Sequence, residues 1–123
     1  MFEDPALKVM WLGKAIPRRW FAEGEKISVF NAPSSYGRIS FTYFSKIESE
    51  KEVVITVAWP SRVRVPEGGL MIRVRAPAAR PIKRVLLGHK PWPFNVDREV
   101  VEIGANNLAS GLLESNSTIY VQY

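Results

Sequence analysis

The amino-acid sequence predicts an all-β fold: an antiparallel β-sandwich of seven to eight strands with a short N-terminal helix. The first observation is a pair of strand-like segments, residues 51–59 and 70–75, with a Pro-Glu-Gly-Gly turn between them. The second is that turn signals recur about every 8–12 residues, as in sandwiches and barrels. The third is that no strand–helix–strand rhythm appears, which disfavours a parallel sheet.

Residues 51–59 form the predicted central strand. Neither of its faces is strongly polar, which is typical of an interior strand, and Pro60 ends it because proline offers no ladder donor. One face carries Val53, Ile55, Val57 and Trp59, and the other Val54, Thr56 and Ala58. In residues 70–75 the alternation points Leu70, Ile72 and Val74 inward and Met71, Arg73 and Arg75 outward.

Residues 4–13 are predicted to form the short N-terminal helix. Asp4 can cap it, Pro5 suits its first position and Gly13 suits its exit. A segment this short is not stable alone in water, so its apolar stripe of Leu7, Met10 and Trp11 must dock on the sheet or on another domain. Residues 1–15 are therefore assigned to a helix and linker within a single domain, residues 1–123.

The rest of the chain supplies the other strands. Residues 105–114 fit either a short helical turn or a loop, and residues 91–94 are extended but too rich in proline for mid-sheet. The remaining predicted strands are residues 26–30, 38–45, 82–87, 99–103 and 117–123.

Composition narrows the class of protein. The 123 residues carry a net charge of +5 and no cysteine, so disulfide and thiolate chemistry are excluded. No apolar segment reaches the ~20 residues of a membrane span, and the first residues lack the pattern of a signal peptide. Neither observation assigns a location in the cell.

Basic residues are concentrated between residues 61 and 90, where Glu67 is the single acid. Two interpretations stay open: a solvated strand face, or a surface for an anionic partner. Nucleic acid is disfavoured because these cations are not interleaved with aromatic residues in one segment. The candidate binding residues are Arg62, Arg64, Arg73, Arg75 and Lys83.

No catalytic or metal-binding signature is found. His89 is the single histidine and falls in a turn, so neither a zinc site nor a nucleophile–histidine relay is predicted. The acids lie in turns or on outward strand positions, where carboxylates are normally solvated, so no catalytic residue and no cofactor is predicted.

Four tryptophans are the candidates for stacking on sugar rings. Trp59 shares the core face of the central strand, and Trp11 and Trp20 are expected to pack the N-terminal helix against the sandwich or against another domain. Trp92, between Pro91 and Pro93 beside a turn, is expected to be the most exposed of the four and is the candidate for carbohydrate binding, although a packing role is favoured even for this residue.

The ordered series of strand and turn motifs resembles the C-terminal β-sandwich that follows the helical-barrel domain of bacterial six-hairpin glycosidase-like proteins. The similarity extends over residues 16–103. The motifs are Ile-Pro-Arg-Arg-Trp (16–20), Gly-Glu-Lys-Ile-Ser-Val (24–29), Ala-Pro-Ser-Ser-Tyr-Gly (32–37), Val-Ile-Thr-Val-Ala-Trp-Pro (54–60), Ile-Arg-Val-Arg-Ala-Pro (72–77), residues 81–90 ending in Gly-His-Lys, and Val-Val-Glu-Ile (100–103).

The resemblance implies a non-catalytic accessory domain of a carbohydrate-active protein, with a helical catalytic domain as its partner and carbohydrate as the related ligand. The catalytic carboxylates of such proteins belong to the helical barrel, so none is assigned here. The alternative is a stand-alone module that binds an anionic ligand, acidic polysaccharide or nucleic acid, through the basic strand face. Contiguity of the outward arginines would favour this alternative.

Overall fold

The computed structural model describes residues 2–4, 9–13, 16–34, 37–59, 68–77, 80–88, 90–109 and 117–123, which form two β-sheets. The strands are β1 (Phe2–Asp4), β2 (Val9–Leu12), β3 (Lys26–Ser34), β4 (Gly37–Lys46), β5 (Glu52–Ala58), β6 (Leu70–Arg73), β7 (Arg84–Leu87), β8 (Lys90–Pro91), β9 (Phe94–Asn95), β10 (Val100–Ile103) and β11 (Ser117–Gln122). A 3₁₀ helix, Arg18–Phe21, precedes β3, and helix α1, Ala105–Ala109, follows β10.

The five-stranded sheet has the order β1-β2-β6-β10-β9, and the six-stranded sheet the order β3-β4-β5-β11-β7-β8. Side chains from both sheets join one hydrophobic core, so the predicted all-β sandwich is confirmed. The described strands outnumber the seven to eight predicted because β1, β8 and β9 contain only two or three residues each. Such segments are too short to display an alternating pattern.

The central strand is confirmed. β5 lies between β4 and β11, and Val53, Ile55 and Val57 are fully buried while the residues between them are half-buried. In β6, Leu70 and Ile72 are buried, and Val74 continues the same face. Alternation identified these faces because in a strand successive side chains point to opposite sides of the sheet.

The N-terminal helix prediction is wrong. The described residues of that segment form β1 and β2, which pair with each other antiparallel, and the short helix near this end is instead the 3₁₀ turn Arg18–Phe21. Met10 and Leu12 are buried in the core. β2 runs parallel to β6 and is the one parallel strand among the described pairs. The strand is favoured because β6 offers a partner for its backbone groups, whereas so short a helix gains little.

The two alternatives for residues 105–114, a short helical turn or a loop, are decided for the described portion, which forms helix α1. Residues 110–116 lie outside the described residues.

Pro91 lies in β8, the last strand of its sheet. An edge position tolerates a residue without a backbone N–H, as predicted for this proline-rich segment.

A buried tyrosine connects the two sheets. The Tyr43 hydroxyl, carried by β4, donates to the carbonyl oxygens of Leu12 and Arg73 across the core, at 3.2 Å each. One proton is shared between the two acceptors. Gly13 makes room for this contact: its φ is +71°, and a Cβ there would lie 2.5 Å from the Tyr43 hydroxyl oxygen. Both the conformation and the close approach require glycine at this position.

We expect Val57→Ala to lower the free energy of unfolding by about 1–3 kcal/mol, because it empties volume in a fully buried site. Thr42→Ala, at a half-buried position on the outer face of β4, should cost less than about 1 kcal/mol. Urea unfolding of the two variants measures the difference, and equal shifts in midpoint would contradict the assignment of strand faces.

We expect Tyr43→Phe to lower the free energy of unfolding by about 1–2 kcal/mol, because it removes a buried hydroxyl that serves two carbonyl oxygens. Tyr120→Phe is the matched control: Tyr120 is half-buried on the outer face of β11, and its variant should change stability by less than about 0.5 kcal/mol. Urea unfolding again gives both values. A Tyr43→Phe variant as stable as Tyr120→Phe would contradict a stabilising role for the inter-sheet hydrogen bonds of Tyr43.

Candidate functional site

Trp92 lies where the chain crosses from the six-stranded sheet to the five-stranded sheet, between β8 and β9. Its backbone N–H donates to the carbonyl of Val85 at 2.9 Å, and its indole N–H donates to the carbonyl of Glu102 at 2.8 Å. The indole is half-buried against the core. These two bonds fix the ring while part of its surface stays accessible.

The ring of Trp92 forms one wall of a cleft of about 270 Å³. The polar residues in its lining are Glu102 and Asn107, beside Gly68 and Gly104. The apolar part of the lining is formed by Leu70, Met71, Trp92, Pro93 and Ile103. Polar and apolar atoms contribute about equally to the exposed lining, so the cleft combines an aromatic wall with groups that can form hydrogen bonds to a small ligand.

The outer face of the five-stranded sheet extends from this cleft to a group of charged residues. Trp11 of β2, Met71 of β6 and Glu102 of β10 are cross-strand partners in one row. Adjacent strands lie about 4.8 Å apart, so the Cα atoms of Trp11 and Glu102 are separated by about 10 Å. Trp11 therefore lies on the same face, one strand away from Met71 in the lining of the cleft.

Arg73 and Arg75 share the outer face, as predicted, but they are half-buried rather than fully solvated. The Arg75 guanidinium donates to the carbonyl of Ile16. The Arg73 guanidinium lies 5.6 Å from the centre of the Trp11 ring. The fold therefore uses the long stems and flat head groups of both arginines to cover apolar surface and to satisfy a carbonyl.

A second pair of charged residues completes this corner. Arg18 forms a bidentate ion pair with Glu99, one contact of which is 2.8 Å, and also donates to the carbonyl of Ala76 at 3.0 Å. The hydrogen bond with Glu99 raises the pKa of Arg18 in spite of partial burial. Arg98, in the turn before β10, lies 5.3 Å from the centre of the Trp11 ring. We call Arg18, Arg73, Arg75, Arg98 and Glu99 the arginine cluster.

The sequence-derived candidates separate in the structure. Arg73 and Arg75 join the arginine cluster, and Trp92 lines the neighbouring cleft. Lys83 lies in another depression, of about 200 Å³, with Lys51, Arg80, Pro81 and Tyr123. Arg62, Arg64 and His89 lie outside the described residues.

The other tryptophans occupy three different environments. Trp59 is buried in the core, as predicted. Trp11 is 3% exposed, but it lies on the outer face of β2 beneath two arginines and not on a helical stripe. Trp20, in the 3₁₀ helix, is 48% exposed and so does not pack on the sandwich; its packing against another domain stays a prediction. The expectation that Trp92 is the most exposed of the four is wrong, because its indole is half-buried and bonded to the Glu102 carbonyl.

Sequence reasoning missed Arg18, Arg98 and Trp11 as members of one site. Arg18 and Glu99 are 81 positions apart, and no local pattern connects them. A weak signal was present in Arg98 and Glu99, which follow the polar Asn95 in a turn. The Asn95 side chain accepts the Arg98 backbone N–H at 3.0 Å and shapes that turn.

Within the described residues, no group of three or more His, Asp or Glu side chains is arranged to hold a metal ion. Over the same residues, no helix has the length and apolar character needed to cross a membrane. Comparisons with protein-family models, with curated proteins and with solved structures found no match to this chain.

Proposed function

We propose that this chain is a non-catalytic accessory β-sandwich that binds carbohydrate in the cleft beside Trp92. The observation that carries the proposal is the half-buried indole, held by its N–H to the Glu102 carbonyl and forming one wall of the cleft. An aromatic face suits the apolar C–H face of a sugar ring. Glu102 and Asn107 also line the cleft, and side chains of these two types can exchange hydrogen bonds with sugar hydroxyl groups.

The number of acidic residues in the cleft favours a binding role over a hydrolytic one. Hydrolysis of a glycosidic bond generally uses two carboxyl groups on either side of the scissile bond. Among the described lining residues, Glu102 is the one acid. The resemblance to sandwiches appended to helical-barrel glycosidases supports the same division of roles.

The accessory part of the proposal requires a neighbouring catalytic domain. Trp20 and Phe30 are 48% and 77% exposed and are apolar side chains that a neighbour could cover. The reading frame upstream of the Met1 codon is the direct check. A helical-barrel coding sequence there would support the accessory role, and an unrelated gene would contradict it.

We expect Trp92→Leu to reduce the affinity for oligosaccharides by about tenfold or more, since a well-placed aromatic contact contributes at least about 1.4 kcal/mol. Leucine retains apolar packing but lacks the flat ring. Calorimetric titration with neutral and acidic oligosaccharides measures the change, and thermal unfolding monitors the fold. Trp20→Leu, which removes an exposed tryptophan outside the cleft, should leave affinity within about twofold; equal losses in both variants would refute the cleft as the binding site.

We also expect the chain to release no reducing sugar from a panel of polysaccharides. Its cleft contributes one described carboxylate where hydrolysis generally uses two. A reducing-end assay tests this expectation. Release that is abolished by Glu102→Gln, or by another single Asp or Glu substitution, would make the protein an enzyme.

A further inference from the structure

The arginine cluster concentrates positive charge on the same sheet face as the Trp92 cleft. Arg73 belongs to β6, whose Met71 lines the cleft two residues away. Residues two apart in a strand project from the same face about 7 Å from each other. The cluster and the cleft are therefore neighbours on one continuous surface.

Two members of the cluster have structural roles. Arg18 neutralises Glu99 and holds the Ala76 carbonyl, and Arg75 holds the Ile16 carbonyl. These contacts tie the segment before the 3₁₀ helix to the end of β6 and to the turn before β10. Because the Glu99 carboxylate forms an ion pair with Arg18, its negative charge is already balanced within the cluster.

Arg73 and Arg98 have a different arrangement. Both guanidinium groups lie within 6 Å of the Trp11 ring centre, at 5.6 Å and 5.3 Å. A cation this close to an indole is attracted by the ring, so the aromatic surface holds both side chains in place. Arg98 is exposed. The pair is thus held in advance of binding, which reduces the entropy lost when an anion is bound.

Electrostatics favour an added anion at this position. Burial lowers the pKa of Arg73, and repulsion from Arg75 and Arg98 lowers it further, with a smaller contribution from Arg18. Glu99 is the acid that acts in the opposite direction. Three positive neighbours against one negative neighbour leave an excess of positive charge, which a carboxylate or sulfate group would offset.

We propose that Arg73 and Arg98 bind the carboxylate or sulfate group of an acidic glycan, one sugar of which lies in the Trp92 cleft. The inference rests on the proposed carbohydrate-binding function and specifies its ligand class. The row Trp11, Met71 and Glu102 connects the two parts of the site. In this arrangement Glu102 binds sugar hydroxyl groups at the cleft, whereas the arginines bind the negatively charged group. The two ends of the site therefore differ in the charge of the ligand group that they favour.

The test uses Arg98→Gln, because Arg98 is exposed and its substitution should leave the fold intact. The probes are oligogalacturonate, a sulfated galactose oligosaccharide that carries no carboxylate, and an uncharged galactose oligosaccharide of the same length. We expect the substitution to weaken binding of an acidic probe by about tenfold, the value of one good charge-assisted contact, and to leave binding of the uncharged probe unchanged. Comparison of the first two probes separates a carboxylate from a sulfate ligand.

Two further variants sharpen the result. Arg84→Gln removes the same charge from an exposed arginine of β7 in the other sheet, whose guanidinium binds Gln122, and should change affinity by less than about twofold. Arg98→Lys keeps the charge but loses the planar fork, so it should recover only part of the affinity. Full recovery of affinity in Arg98→Lys would contradict bidentate binding by the guanidinium and would show that positive charge alone accounts for the affinity.

The outcomes separate this inference from the proposed function. Equal binding of acidic and uncharged probes, unaffected by Arg98→Gln but weakened by Trp92→Leu, would overturn the arginine site and keep the cleft. Loss of acidic-probe binding in Arg98→Gln without any effect of Trp92→Leu would support the arginine site and contradict the cleft. Tighter, Arg98-dependent binding of duplex DNA than of either acidic probe would overturn the assignment to a glycan.

Discussion

The Tyr43 hydroxyl is the contact on which the relative position of the two sheets depends. It lies in the core and serves the Leu12 and Arg73 carbonyls on the opposite sheet, where an unpaired carbonyl would be costly. Burial raises the pKa of Tyr43, so the group remains a neutral donor. The same bond holds the backbone of Arg73, whose side chain faces outward toward Trp11. The position of the proposed anion site is thus tied to the core.

A second constraint acts at the corner where Ile16, Ala76 and Glu99 meet. Glu99 has a φ of +57°, a conformation that costs a non-glycine residue about 1–2 kcal/mol. Its carbonyl accepts the Val74 backbone N–H at 3.0 Å, and its carboxylate holds Arg18. These contacts stabilise the strained turn, and the turn in turn brings Arg98 over the Trp11 ring.

The arginines of this corner combine structural and proposed binding roles. Arg18 and Arg75 satisfy backbone carbonyls, so their removal should disturb the fold as well as the charge. Arg98 is exposed and reports on the charge with less effect on folding. These arginines look equivalent in the sequence, but substitution of Arg98 tests anion binding with less disturbance of the fold than substitution of Arg18 or Arg75. The Trp92 cleft has the same dual character, because Trp92 bonds to one sheet through its backbone N–H and to the other through its indole N–H, and its ring also presents a surface.

The sequence alone determined the sandwich class, the interior position of β5 and the buried faces of β5 and β6, because alternation in a strand depends only on neighbouring residues. It failed at residues 9–12, where a short apolar segment fits both a helix and a strand, and the partner strand β6 decided between them. It proposed Trp92 for carbohydrate binding because the flanking prolines and the turn predicted exposure, whereas in the structure Trp92 is half-buried and Trp20 is the exposed tryptophan. Only the tertiary structure brought Arg18 to Glu99, and Arg73 and Arg98 to Trp11, because these contacts join residues distant in the chain through sheet pairing that no local pattern encodes.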